Sequence, residues 1–263
     1  CGFVQSLNIK VRSTEKMKDK IILMNFTDIY KEQEFYRETD PIWLEFSHLT
    51  GCSCYCDEEA AGILRKEIRE LPAEGIHFLD SGNYHYMSLF WLEKIDRPFR
   101  LVLFDNHTDM QPPAFGGLLS CGGWAAEALE TVPALKEVIL VGPDEEAFSQ
   151  TDAKLREKVR FLSGEKLAGL SKEEITGFFS EIPGDLPLYL SVDKDVLCPE
   201  DAVTAWSQGD MKLTELTEYL GLLFENQNIL GMDVCGEAEP GRGSLCNDRA
   251  NQALLELYRK SVS

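Results

Sequence analysis

Leu101-Val-Leu-Phe-Asp-Asn-His-Thr-Asp109 is the stretch on which the fold turns. Leu101 to Phe104 is apolar at every position and flanked by polar residues, the pattern of a strand covered on both faces. Asp105, His107 and Asp109 follow at alternating positions, and alternate side chains of an extended backbone leave on one side. Two carboxylates and an imidazole meeting there repel each other and resist desolvation unless a cation lies between them. In open α/β sheets, the carboxyl ends of strands are also where sites form. A metal site is the leading reading, and a polar strand-to-loop turn is the plain alternative.

Working outward, strand and helix patterns alternate. Ile21 to Phe26, Pro41 to Phe46, Gly75 to Leu79, Val138 to Val141, Val159 to Leu162, Leu186 to Val192 and Ile229 to Val234 read as strands. Asp57 caps an expected helix to about Leu71, with Glu58 and Glu59 in its first turn and Ala61, Leu64 and Ile68 along one face. Further helices are expected up to Leu92 and over Trp124–Leu129, Glu145–Phe148, Ser171–Phe179, Thr214–Glu225 and Asn247–Lys260. Ser171 and Glu174 form a capping-box signature. The alternation implies an α/β fold with a mainly parallel sheet between helices. One domain is read over residues 20–263. Residues 1–19 are polar and basic and read as a flexible arm, with Met17 an alternative start. The Gly- and Pro-rich loop 111–123 has the length and composition of a functional segment.

The chain has 263 residues, 44% hydrophobic and 27% charged, as for a soluble globular protein. Its net charge of −19, from 45 acidic and 26 basic residues, argues against nucleic acid and against an anionic membrane surface. No apolar run approaches bilayer length, and the start lacks a signal peptide's apolar core. The expectation is a cytoplasmic protein with a small-molecule substrate, its oligomeric state open and a homo-oligomer admissible. The eight cysteines do not fall at the spacings of a secreted disulfide framework. Cys52-Ser-Cys-Tyr-Cys56 reads as a loop of small residues rather than a soft-metal site, because it lacks the second, separated pair of structural zinc sites.

In a parallel sheet the carboxyl ends share one edge, so distant segments can meet there. His85 follows the Gly75 strand. Asp193 and Asp195 follow the Leu186 strand, in Ser191-Val-Asp-Lys-Asp195. Asp233 and Glu237 follow the last strand, in Gly231-Met-Asp-Val-Cys-Gly-Glu-Ala-Glu-Pro240. Carboxylates with two histidines suit a pair of hard-to-borderline divalent ions such as Mn²⁺. No cysteine is included in this set, which argues against structural zinc.

These motifs resemble the arginase or ureohydrolase superfamily, over roughly residues 75–240. Asp105-Asn-His-Thr-Asp109 is similar to the family's Asp-x-His-x-Asp, and Ser191-Val-Asp-Lys-Asp195 to its Ser-x-Asp-x-Asp. Gly82-Asn-Tyr-His85 stands where the family has Gly-Gly-Asp-His, and keeps the first glycine and the histidine. The resemblance implies a three-layer αβα sandwich, the arginase/deacetylase fold. It implies two Mn²⁺ ions, one held by His85 and Asp109 and the other by His107 and Asp195, with Asp105 and Asp193 bridging both. It also implies hydrolysis of a carbon–nitrogen bond in a guanidino, amidino or amide-like molecule. A metal-bridging hydroxide would attack the electrophilic carbon, and an amine would leave after proton delivery.

Asp105 is thereby assigned to catalysis as well as to metal. Glu237, three residues before Pro240, stands where ureohydrolases hold the guanidinium through paired charge-assisted hydrogen bonds. Gly236 puts it one residue farther from Asp233 than the family spacing, and Glu239 competes for the role. The loop from Gly116 to Gly123 has no histidine where ureohydrolases place a proton shuttle. Ser120 and Cys121 fall near that position and, with Asn83 beside His85, are the expected substrate contacts. His48 reads as a loop residue and His77 as a core residue. The loop that recognises the amino-acid end of arginine is not found, which disfavours arginine. Two alternatives stand: a deacetylase-type metalloamidase using a single ion, and a non-catalytic metal-binding protein of the same fold.

Overall fold

A computed structural model describes residues 20–112 and 116–262. The arm expected over residues 1–19, with its Met17 start, and positions 113–115 of the Gly- and Pro-rich loop lie outside the described residues. In chain order the strands are β1 (Ile21–Asn25), β2 (Ile42–Glu45), β3 (Tyr55–Cys56), β4 (Gly75–Phe78), β5 (Phe99–Phe104), β6 (Leu119–Ser120), β7 (Leu135–Gly142), β8 (Val159–Ser163), β9 (Leu188–Asp193) and β10 (Ile229–Cys235). Eight of them form one sheet in the order β2-β1-β4-β10-β9-β5-β7-β8. Each neighbouring pair in it is parallel.

The Leu101–Phe104 run shows why the sheet is covered twice. Leu101 and Leu103 of β5 pack into one hydrophobic core, and Val102 and Phe104 into the other. Ile22 and Met24 of β1 divide from Ile21 and Leu23 in the same way. Helices Glu58–Glu67, Met87–Leu92 and Trp124–Thr131 cover the first face. Helices Lys172–Ser180, Leu213–Asn226 and Ser244–Val262 cover the second. The result is the three-layer αβα arrangement, with the layers set by period-2 alternation in the strands and apolar faces on the helices. Among the described residues, no helix is long and apolar enough to cross a membrane.

Local signals set most boundaries. Asp57 caps its helix by accepting the Ala60 N–H at 2.8 Å, and Ser171 and Glu174 form the expected capping box. The Asp57-capped helix ends at Glu67, before the expected Leu71. The antiparallel ribbon of β3 and β6 is an addition, since strands of two residues leave no periodicity to read. The feature that builds the site is the adjacency of β4, β10, β9 and β5, whose carboxyl ends lie side by side at the middle of the sheet.

Candidate metal centre

After β4 a tight turn over Gly82–Tyr84, capped by the Ser81 hydroxyl, delivers His85 into the interior. Its Nδ1 lies 3.0 Å from Asp109 Oδ2, 3.3 Å from Asp105 Oδ2 and 3.4 Å from Asp193 Oδ2. Its Nε2 lies 2.9 Å from Ser191 Oγ, and the Ser191 hydroxyl donates to Asp233 Oδ1 at 2.5 Å. A serine has one proton to give, so Nε2 carries a hydrogen towards Ser191 and Nδ1 is the nitrogen turned to the three carboxylates, free to offer its lone pair once a cation replaces the proton there. Asp109 turns back towards His85 through a left-handed backbone, φ 48°, and Trp124 Nε1 donates to its Oδ2 at 2.5 Å. Such a conformation costs about 1 kcal/mol or more and persists where the surroundings enforce it.

The second cluster is more open. His107 Nδ1 is 2.9 Å from Asp195 Oδ2 and 3.5 Å from Asp105 Oδ1, and its Nε2 is 2.9 Å from Ser207 Oγ. Asp105 therefore presents one oxygen to each histidine. Asp193, expected to bridge as well, is placed with His85. Its Oδ1 accepts the Asp195 N–H at 2.9 Å and its Oδ2 faces the imidazole, while Asp105 is the acid with an oxygen within 3.5 Å of each histidine.

Burial raises the pKa of Asp105, Asp109 and Asp193, and neighbouring acids add to it in Asp105 and Asp193. Burial, followed by the Asp105 charge, brings Asp195 up to about 6. For His107, burial opposes the charged form, but Asp105 and Asp195 outweigh it and push the pKa up to about 11. His85 Nδ1 and Asp105 Oδ2 are buried and face each other without the alignment of a hydrogen bond. Orphaned polar atoms of this kind cost about 1–3 kcal/mol each unless something else satisfies them. Imidazole nitrogens and carboxylate oxygens converging on such atoms fit divalent cations.

Two residues stand differently from the sequence expectation. The first is Cys235, which no motif singled out. Cys235 is buried, with Sγ 3.0 Å from Asp193 Oδ2, and its sulfur and the donor atoms of His85 and Asp193 all lie within 4.8 Å of one another. The register pairs Asp233 with Ser191 and Cys235 with Asp193 across β10 and β9, so all four side chains share one side of the sheet. The spacing Asp233-Val-Cys235 was the available signal.

The second is Glu237, expected at the substrate. It is fully buried, and Lys194 Nζ and Asn251 Nδ2 donate to its Oε1. Gln33 Nε2 and Asn247 Nδ2 donate to Oε2 at 2.8 Å each. Gly236, the extra residue, explains the diversion. Its φ of 90° belongs to the left-handed region, and a Cβ there would lie 2.3 Å from Asp193 Oδ1. The chain turns away at Gly236, and the Glu237 N–H bonds to Asp80 O at 3.1 Å.

A cavity of about 180 Å³ opens over the ligands His107, Asp109, Asp193 and Asp195. Its other walls include Cys54, Tyr55, Gln111, Ser120, Cys121 and Trp206. Ser120 and Cys121, expected as substrate contacts, thus line the cavity. Asn83 stands behind the wall, its Oδ1 accepting from Trp206 Nε1 at 2.9 Å. His48 is exposed away from the cavity. His77 is a core residue stacked on Trp91, its Nδ1 2.9 Å from the Tyr189 hydroxyl and its pKa lowered to about 3 by burial. The Cys52 and Cys56 thiols are buried and donate to the Leu49 and Asp57 carbonyls, whereas Cys54, between them, faces the cavity. No motif flagged Tyr55, Gln111 or Trp206 in the sequence.

With this geometry described, three comparisons bear on it. The arginase family profile matches residues 55–244. An uncharacterized protein of Thermotoga maritima is 34% identical over 177 residues, covering 65% of this chain and 61% of the relative, so the match spans less than two thirds of that protein. Proclavaminate amidino hydrolase from Streptomyces clavuligerus superposes with a TM-score of 0.70 at 15% identity, over 93% of this chain and 92% of that one. Formimidoylglutamase from Bacillus subtilis gives 0.66 at 14%, covering 92% and 86%. Arginase from Bacillus caldovelox gives 0.64 at 16%, covering 91% and 98%. At these identities the structural likeness speaks for the fold.

Proposed function

The chain belongs to the arginase family, and on that footing we propose that it is a binuclear, manganese-type hydrolase of a carbon–nitrogen bond in a guanidino, amidino or amide-like small molecule. The observation that carries this reading is the convergence of His85, Asp105, His107, Asp109, Asp193 and Asp195 from neighbouring strand ends around buried, unpartnered ligand atoms. Two divalent ions bound there would supply Lewis acidity and bring the pKa of a shared water towards neutrality.

The chain's own residues do the rest. Ser191 and Asp233 hold the His85 tautomer, and Trp124 holds Asp109. Asp105, through its two oxygens, fixes the distance between the clusters. In the cavity, Gln111 and Ser120 offer neutral donors and acceptors to a substrate. The Cys121 thiol, pushed up to about 12 by burial and then by Asp109, keeps its proton at neutral pH. Ser120 and Cys121 would contact the substrate in the position the sequence left without a histidine, while the proton for the departing nitrogen would come from the attacking water.

Within the substrate class, an uncharged amide-like group is favoured. A planar cation needs a free carboxylate, and Glu237 is already occupied by Lys194. A single-ion deacetylase reading is disfavoured because Asp105, His107 and Asp195 complete a second cluster.

The test is release of ammonia, urea or amine from a panel of guanidino, amidino and amide compounds with added Mn²⁺. Turnover of an amide-like compound, with arginine inert, is expected. If the protein carries two ions and releases nothing from any compound, it is a metal-binding protein and the hydrolase reading is wrong.

A further inference from the structure

Cys235 is left over from the ligand set of the proposed centre, yet it is built into the same wall. We propose that its sulfur is an additional donor to the His85 cluster. That cluster would then be a mixed nitrogen, oxygen and sulfur site that takes zinc, cobalt or ferrous ion in preference to manganese, while the His107 cluster stays a nitrogen and oxygen site. This rests on the reading of the centre as a two-ion site, and it narrows the manganese assignment to the His107 half.

Four observations carry it. Cys235 is fully buried on β10, and the register sets it directly beside Asp193 on β9. Its thiol donates to Asp193 Oδ2 at 3.0 Å, and that same oxygen is 3.4 Å from His85 Nδ1. The three donor atoms of Cys235, His85 and Asp193 lie within 4.8 Å of one another. Donors sharing one tetrahedral ion at Zn–S of about 2.3 Å and Zn–N of about 2.1 Å stand about 3.6 Å apart, so side-chain adjustment of about 1 Å brings the three onto one ion. The cysteine is not isolated either, since His85 Nδ1 and Asp105 Oδ2 are buried without partners in the same space. Gly236 permits this geometry, because any side chain there would collide with Asp193.

The chemistry follows from the donor type. A coordinating thiol is deprotonated outright, so the proton now shared with Asp193 leaves to solvent as the ion arrives. Thiolate selects softer ions, whereas carboxylates and water suit manganese. The His107 cluster has no sulfur within reach among the described residues. The two halves of the centre therefore differ in softness, and loading with one kind of ion would leave one half poorly matched.

Cobalt(II) is the probe. Full-length protein stripped of metal and titrated with Co²⁺ should develop a thiolate-to-cobalt charge-transfer band in the near ultraviolet, beside the visible ligand-field bands. Cys235→Ser should lose the charge-transfer band and keep the ligand-field bands. Its preference for Zn²⁺ over Mn²⁺ at the His85 cluster should fall by about tenfold or more, the scale of losing even an outer partner of a ligand. Ligand-field bands without charge transfer in the wild-type protein would overturn the role of Cys235 and leave the metal centre standing. No cobalt binding at all would overturn the centre itself. A charge-transfer band that survives in Cys235→Ser and is lost in Cys54→Ser or Cys121→Ser would also overturn the role of Cys235, and Cys235→Ala replaces the serine variant if that one fails to fold.

Discussion

Two groups of buried acids lie along the same strand ends, and they are balanced in opposite ways. Glu237 has its cation built in, with Lys194 and the amides of Gln33, Asn247 and Asn251 filling both of its oxygens. Asp105, Asp109, Asp193 and Asp195 have two histidines, one indole and a few backbone N–H groups, and burial raises the pKa of all four. A buried carboxylate closed by a lysine and three amides is part of the scaffold, whereas a buried cluster short of positive charge is a place for ions. Glu237, fully buried and held by Lys194 and three amides, is a strut beneath the site.

The contrast can be broken most severely at Asp105. Asp105→Ala removes an oxygen from each cluster and should weaken both ions by roughly 100-fold or more, read as metal content after dialysis. His107→Ala should cost one ion and spare the other. Equal loss from both variants would mean that Asp105 is not the shared ligand.

Next in size is Lys194→Met, which strands Glu237 as an uncompensated buried charge and should destabilise the fold by about 3–5 kcal/mol in urea unfolding. Lys194→Met combined with Glu237→Gln should recover most of that loss. A single-variant effect near zero would show that the pair is not structural.

Metal removal comes third. At a free-ion concentration of 100 times Kd, each ion contributes about 2.7 kcal/mol, so chelation should lower Tm clearly at pH 8. Asp195 is raised to about 6, so in the metal-free protein its contribution is present below its ordinary carboxyl pKa and is lost as pH rises through about 6. Protons also compete with the ion below that point. The chelator effect should therefore shrink as pH falls below 6, and a constant effect from pH 5 to 8 would contradict it.

The smallest effect is expected at Asn83→Ala, which frees Trp206 at the cavity wall. It forfeits one hydrogen bond of about 0.5–1.5 kcal/mol, so KM should rise by about tenfold at most, with metal content unchanged.

Much of the architecture was legible because the strands are short apolar runs whose ends carry the acids. His85, Asp105, His107, Asp109, Asp193 and Asp195 sit in local motifs, so their convergence needed only parallel order. Cys235 was missed because its place depends on the register between β10 and β9, a non-local fact. The burial of Glu237 was hidden because the position before Pro240 is a local cue. Its burial depends on the left-handed turn at Gly236, on Lys194 inside a ligand motif, and on Asn247 and Asn251 one helical turn apart on the last helix. The cavity wall was hidden for a similar reason. Cys54 and Cys121 meet only through the β3–β6 ribbon, where the Cys121 N–H bonds to Cys54 O at 2.8 Å.

Metal stoichiometry tests the two-cluster centre most directly. Full-length protein loaded with divalent ions, dialysed and measured by elemental analysis should hold two ions per chain, and His107→Ala should hold one. A single ion in the wild-type protein, or none, would contradict it.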